Sequence, residues 1–162
     1  MKLLKVILLF LFLSSNALAG LTYKQSSSSL NSVTTALRGI NFNPDGTKMF
    51  IIDNKDDRVE EYTLSTAWDT TDITHNGDEP IPTEDHPRGI AFKPDGTKFF
   101  TIGDDDEKIR SWTLATAWDI DSGTSGGNSS DRTNNYENKP KNLQFNSDGT
   151  VLYIAGETGD DI

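Results

Sequence analysis

Carboxylates crowd three short stretches of this chain: Asp53, Asp56 and Asp57; Asp104, Asp105, Asp106 and Glu107; and Glu157, Asp160 and Asp161. Calcium, a hard cation, takes about 6 to 8 oxygen ligands. Turns of this composition could supply part of such a shell, with Asp53, Asp56, Asp57, Asp104, Asp105 and Asp106 as the candidate metal ligands. The spacing is not that of an EF-hand, because the turn glycine and the closing glutamate are missing. Asp and Asn are also ordinary hairpin-tip residues, since their side chains bond the adjacent backbone, so solvated tips are the competing reading. A connecting stretch holding Asp78, Glu79, Glu84, Asp85 and His86 adds to the acidity. Two arginines, Arg38 and Arg88, recur before matching apolar alternations. They could line a central channel and bind an anionic ligand, or form ion pairs with the acidic turns.

Other chemistries lack their residues. His75 and His86 are the only histidines, too few for an ordinary zinc site without carboxylate help, and both read as loop residues. No Gly-x-Ser-x-Gly elbow and no convincing Ser, His and Asp set is present. Ser125-Gly126-Gly127-Asn128-Ser129-Ser130 has the look of a phosphate-cradling loop but lacks the lysine and the helix that this chemistry requires. Asn128-Ser129-Ser130 also satisfies a glycosylation sequon. The absence of cysteine removes disulfides, thiolate catalysis and thiolate metal sites. No catalytic residue is assigned.

Lys2 and Lys5 precede an apolar run from Val6 to Leu13, and Ala17-Leu18-Ala19 precedes Gly20. This is the pattern of a cleaved secretory signal over residues 1–19; the run is far shorter than the roughly 20 apolar residues a membrane-spanning helix needs. The expected location after cleavage near Ala19 is extracytoplasmic, periplasmic or secreted, with membrane contact only during export. Loss of Lys2 and Lys5 takes the formal charge from -10 to -12. Such acidity opposes nucleic acid or anionic lipid as partners and leaves cations or a basic protein surface open.

The elements that must position these residues are written as a repeat. Leu37 to Asp69 aligns without a gap to Pro87 to Asp119, with 18 of 33 positions identical, and a partial third copy runs from Asn142 through Gly149 and beyond. Internal similarity at this period marks supersecondary units that bury their apolar faces only against neighbours. Ile40 and Phe42, Ile90 and Phe92, Leu143 and Phe145 alternate with polar or small residues, as in a strand. Pro-Asp-Gly at residues 44–46 and 94–96, with Ser147-Asp148-Gly149 in the third copy, fits a tight turn. Apolar runs at 49–52, 99–102 and 151–154 read as inner strands buried on both faces. Arg58 to Leu64 and Lys108 to Leu114 read as third strands, and the polar residues after Trp68-Asp69 and Trp118-Asp119 leave room for a fourth. Phe42, Gly46, Trp68, Phe92, Gly96, Trp118, Phe145 and Gly149 are the structural signature of the repeat, with both tryptophans read as packing residues.

A four-stranded antiparallel sheet recurring about every 50 residues describes a β-propeller blade. The runs Phe42 to Phe50 with Tyr62 to Asp69, and Phe92 to Phe100 with Trp112 to Asp119, resemble the β-propeller repeats of secreted bacterial and phage proteins, similar to the WD-repeat and YVTN types. The expected fold is all-β, a partial propeller preceded by a signal peptide. Residues 20–36 read as an outer strand of a closing blade, 37–86 as blade 1, 87–140 as blade 2 and 141–162 as the start of blade 3. A closed ring needs about 4 to 8 blades, so the chain is expected to be the N-terminal part of a longer polypeptide, with association of chains as the alternative. Propellers carry many activities. The leading expectation is a binding or scaffold module that meets a protein or surface polymer through blade-top loops. The alternatives are an enzyme resembling lactonases or quinoproteins with its decisive residues in other blades, and a structural part of a phage or surface appendage.

Overall fold

Each apolar alternation becomes a strand, and each Pro-Asp-Gly or Ser-Asp-Gly becomes the turn that reverses it. The computed structural model describes residues 36–82, 86–104, 108–128 and 139–157. The expected signal peptide, residues 20–35 of the expected outer strand, Glu84, Asp85, Asp105, Asp106, Glu107, Asp160 and Asp161 lie outside the described residues.

The first sheet holds β1 (Leu37–Phe42), β2 (Lys48–Asp53), β3 (Arg58–Thr66) and β4 (Asp69–Pro80) in that order. The second repeats it with β5 (Pro87–Phe92), β6 (Lys98–Gly103), β7 (Arg110–Leu114) and β8 (Gly123–Asn128). The third shows β9 (Pro140–Phe145) paired with β10 (Leu152–Gly156). All pairings are antiparallel. The first strand of each sheet is innermost, and β5 lies against both β1 and β9. The fold is a partial β-propeller.

The turn between the first two strands of each sheet has one construction. Gly46 N–H donates to Asn43 O at 3.1 Å, and Asp45 Oδ1 accepts from both the amide and the hydroxyl of Thr47, at 3.0 and 2.6 Å. Gly46, Gly96 and Gly149 have φ of 72, 70 and 69°, the left-handed region in which a side chain would be strained. In the first two copies the indole explains the rest of the signature. A Cβ on Gly46 or Gly96 would fall 2.3 Å or 2.1 Å from an atom of the Trp68 or Trp118 ring, so each tryptophan lies flat on its turn glycine. Its own amide donates to that glycine's carbonyl, at 2.9 and 3.0 Å. Trp68 and Trp118 take φ of 63 and 62° to do so.

Sheets bury one another's faces. Phe50, Ile52 and Val59 of the first, with Ile81 just past its end, pack on Ile90, Phe92, Phe99, Trp112 and Leu114 of the second, with the Phe50 and Phe92 rings 4.3 Å apart. Phe100 meets Phe145 at 5.2 Å in the same way across the next interface. Polar contacts fix the register: Glu61 accepts from Lys48 Nζ at 2.6 Å and from Ile120 N–H at 2.9 Å, while Lys48 Nζ also reaches Trp118 O at 2.7 Å. Trp112 Nε1 donates to Glu79 Oε1 at 2.9 Å, satisfying a buried indole.

Four expectations need correction. The fourth strand of the first sheet extends to Pro80, so Asp78 and Glu79 are strand residues and not part of a connection. His75 is likewise in β4, opposite Tyr62, with its imidazole bonded to buried Glu60 at 2.5 Å. β7 begins at Arg110, two residues after the expected start. β10 leaves Tyr153 and Ala155 exposed, because among the described residues it pairs only with β9.

Candidate functional site

The innermost strands carry an irregularity that alternation does not reveal. In β5, Pro87 pairs with Gly103 and Gly89 with Ile102, which leaves Arg88 as an extra residue. In β9, Pro140 pairs with Gly156 and Asn142 with Ala155, which leaves Lys141 extra. In β1 the register shifts between Leu37 and Ile40, the interval that holds Arg38 and Gly39. A β-bulge of this kind bends the strand and re-aims a side chain out of the pleat. Three bulges at equivalent places therefore present three cations, Arg38, Arg88 and Lys141, to one open cleft.

That cleft has a volume of about 500 Å³ and is lined by Leu37, Arg38, Gly39, Ile40, Arg88, Lys141 and Asn142, a size that suits a small molecule. Close approach of the inner strands builds its wall. A Cβ on Gly39 would lie 2.8 Å from Arg88 O, and one on Gly89 would lie 2.9 Å from Asn142 Cα, so neither position accepts a side chain without the strands parting. This is the physical reason for glycine after arginine in the first two copies.

Two of the cations are already engaged. Arg88 binds Asp104 through Nε at 2.9 Å and Nη2 at 2.8 Å, and Lys141 Nζ reaches both oxygens of the same carboxylate at 3.0 and 2.9 Å. Lys141 also faces Glu157 at 3.5 Å. Burial pushes the Asp104 carboxyl up, but the hydrogen bonds from Lys141 and Arg88 outweigh it and hold the group below the usual carboxylate range. Among the described residues Arg38 makes no ion pair; its Nη1 donates to Leu37 O at 3.1 Å.

Sequence reading thus named two of the three cleft cations. The third was signalled by Pro140-Lys141, which aligns with Pro87-Arg88, but Asn142 in place of glycine obscured the match. Arg88 makes the ion pair that one reading of the arginines expected, and both Arg38 and Arg88 line the cleft. Of the candidate metal ligands, Asp105 and Asp106 lie outside the described residues, and the other four stand in different surroundings. Asp53 is fully buried, its Oδ1 accepting from Lys55 N–H at 2.9 Å and its Oδ2 without a hydrogen-bond partner among the described residues; Asp56 is exposed; the Asp57 carbonyl accepts from Ile81 N–H at 2.8 Å; Asp104 is held by the two cations. Among the described residues no group of three or more acidic, histidine or cysteine side chains is arranged to hold a metal ion.

A stack of four-stranded sheets whose inner strands converge on one cleft narrows the kinship. The family described as lactonase, 7-bladed β-propeller, matches residues 37–162. This chain belongs to that lactonase family of propellers. No protein of curated function matches it in sequence. Among solved structures it is similar to a protein of Bacteroides uniformis described as a "putative 6-phosphogluconolactonase", at TM-score 0.61 and 17% identity over 86% of this chain and 40% of that one. It is also similar to the periplasmic gluconolactonase of Pseudomonas aeruginosa, at 0.57 and 11% over 76% and 33%. The β-propeller domain of Swd1 from Myceliophteria thermophila matches at 0.55 and 11% over 76% and 36%. These identities establish the fold alone. The chain of this lactonase-family member spans about two fifths of the first of these structures.

Among the described residues, the lining of this cleft carries three cations and the amide of Asn142. It can bind and orient an oxyanion, or stabilise one as it develops.

Proposed function

We propose that this lactonase-family chain forms part of a propeller that binds a small oxyanion-bearing ligand of the sugar-acid class at its axis, outside the cytoplasm. The observation that carries the reading is the set of equivalent bulges that direct Arg38, Arg88 and Lys141 to one cleft. Three cations from three separate strands are more than packing requires, and a planar guanidinium matches carboxylate and phosphate geometry. This reading puts recognition at the axis, where the sequence suggested the blade-top loops. The signal-like N-terminus supports export.

Family membership and the lactonases among the similar structures favour a second reading, in which the bound sugar acid is the product of lactone hydrolysis. In that reaction water adds to the lactone carbonyl, the ring C–O bond breaks, and a carboxylate and an alcohol remain. The cleft cations would stabilise the oxyanion, and the base that activates water would come from another part of the full polypeptide.

Isothermal titration of the full-length protein with gluconate and with uncharged methyl glucoside tests the binding reading, and proton release from gluconolactone at constant pH tests the second. Gluconate should bind, more weakly at high salt, and methyl glucoside should not. Equal binding of both, or of neither, would overturn the axial reading.

A further inference from the structure

We infer that Arg38 is the residue that seats the ligand's oxyanion, and that Asn54 is what keeps it available. The inference rests on the axial reading above and deepens it. The second strand of each sheet ends beside the bulge, and the residue just past that end is equivalent in all three copies: Asn54, Asp104 and Glu157. In the second copy this residue is the carboxylate that takes Arg88 at 2.8 Å. In the third it is the carboxylate facing Lys141 at 3.5 Å. In the first it is an amide, whose Nδ2 donates to Pro87 O at 3.4 Å and which carries no charge to offset a guanidinium.

The balance of charge follows. Arg88 and Lys141 stand against Asp104 and Glu157, two cations with two carboxylates, while Arg38 brings a third positive charge with no described counterpart. Arg38 is exposed and lines the cleft, so its fork is open to an incoming anion. Arg88 has no such freedom, since its Nε and Nη2 already point at Asp104. The ligand group is a carboxylate or a phosphate, both of which a guanidinium binds through paired hydrogen bonds.

The test uses the full-length protein and calorimetric titration with two probes: gluconate, whose only charge is a carboxylate, and glucose 6-phosphate, whose only charged group is a phosphate. Arg38→Gln and Asn54→Asp should each weaken the preferred probe on the order of tenfold to a hundredfold, the loss of one charge-assisted contact. Asn54→Asp acts by giving Arg38 the partner that Arg88 already has. Asn54→Gln, which adds no charge, should leave affinity within about twofold. Thermal melts of the variants, unchanged at these solvent-accessible sites, establish that the fold is retained. If the wild type binds a probe and neither Arg38→Gln nor Asn54→Asp weakens it, the assignment of Arg38 is overturned while the axial reading stands. If the wild type binds neither probe, the axial reading itself falls and takes this inference with it.

Discussion

Adding one methyl group at residue 89 should separate two blades. The Cβ of Gly89→Ala would fall 2.9 Å from Asn142 Cα, 3.1 Å from Lys141 O and 3.2 Å from Ile102 Cγ2. Two of these atoms belong to backbone on the neighbouring inner strand, which cannot rotate aside as a side chain would. β9 must therefore move outward, taking Lys141 away from Asp104. Overpacking of this kind costs about 1–3 kcal/mol, and at roughly 2–4 °C per kcal/mol for a domain of this size the melting temperature should fall by roughly 2–12 °C. Scanning calorimetry measures the fall, and gluconate titration should show a matching loss of affinity as the cleft widens. Gly39→Ala meets Arg88 O at 2.8 Å and should behave alike. Wild-type melting by Gly89→Ala would refute the argument that glycine stands here because the inner strands nearly touch.

Other expectations follow from single contacts. Phe50 is completely buried against Phe92, so Phe50→Ala should cost roughly 3–5 kcal/mol in urea unfolding. Glu79 is held above the usual carboxylate range by burial, against the hydrogen bond from Trp112. Its favourable contribution is present at acid pH and is lost as pH rises through its folded value. Glu79→Gln, which still accepts the indole bond, should therefore melt higher than wild type at pH 7 and gain less at acid pH. Glu79→Ala leaves the Trp112 N–H unpartnered and should cost about 1–3 kcal/mol. Asp104 is shifted the other way, so its contribution is complete above the ordinary carboxylate pKa and disappears as pH falls through its lower folded value. Asp104→Asn should lower stability at pH 7 and flatten the acid limb of a stability profile, while tightening gluconate binding by releasing Arg88 and Lys141.

The fold was legible because its instructions are local and repeated. Alternation at Ile40 and Phe42 or Ile90 and Phe92 marks a strand, Pro-Asp-Gly marks its reversal, and eighteen shared positions mark the second unit as a copy of the first. Trp68 and Trp118 recur with the repeat, although nothing in one sequence says that each indole rests on a glycine some twenty residues earlier. The site was half legible. Arginine before glycine drew notice by recurring, but a bulge leaves the downstream alternation intact and so is silent in a pattern search. The acidic turns show what spacing leaves open: Asp53, Asp56 and Asp57 are close in sequence, yet backbone geometry sends one into the interior, leaves another in water and gives the third a φ of 51°. His75 looked like a loop residue because β4, rich in Thr, Asp and Asn, has little of the apolar content that announces a strand.

The bulges have one more implication, for how such a ring changes its taste. An inserted residue that stands outside the hydrogen-bonded ladder can be exchanged without disturbing the pairs on either side of it. On the axial reading proposed above, each blade offers the axis one interchangeable contact, with a second position at the end of the neighbouring strand deciding whether that contact is muted or active. Selectivity in such a protein could be rewritten two residues at a time while the scaffold stays the same.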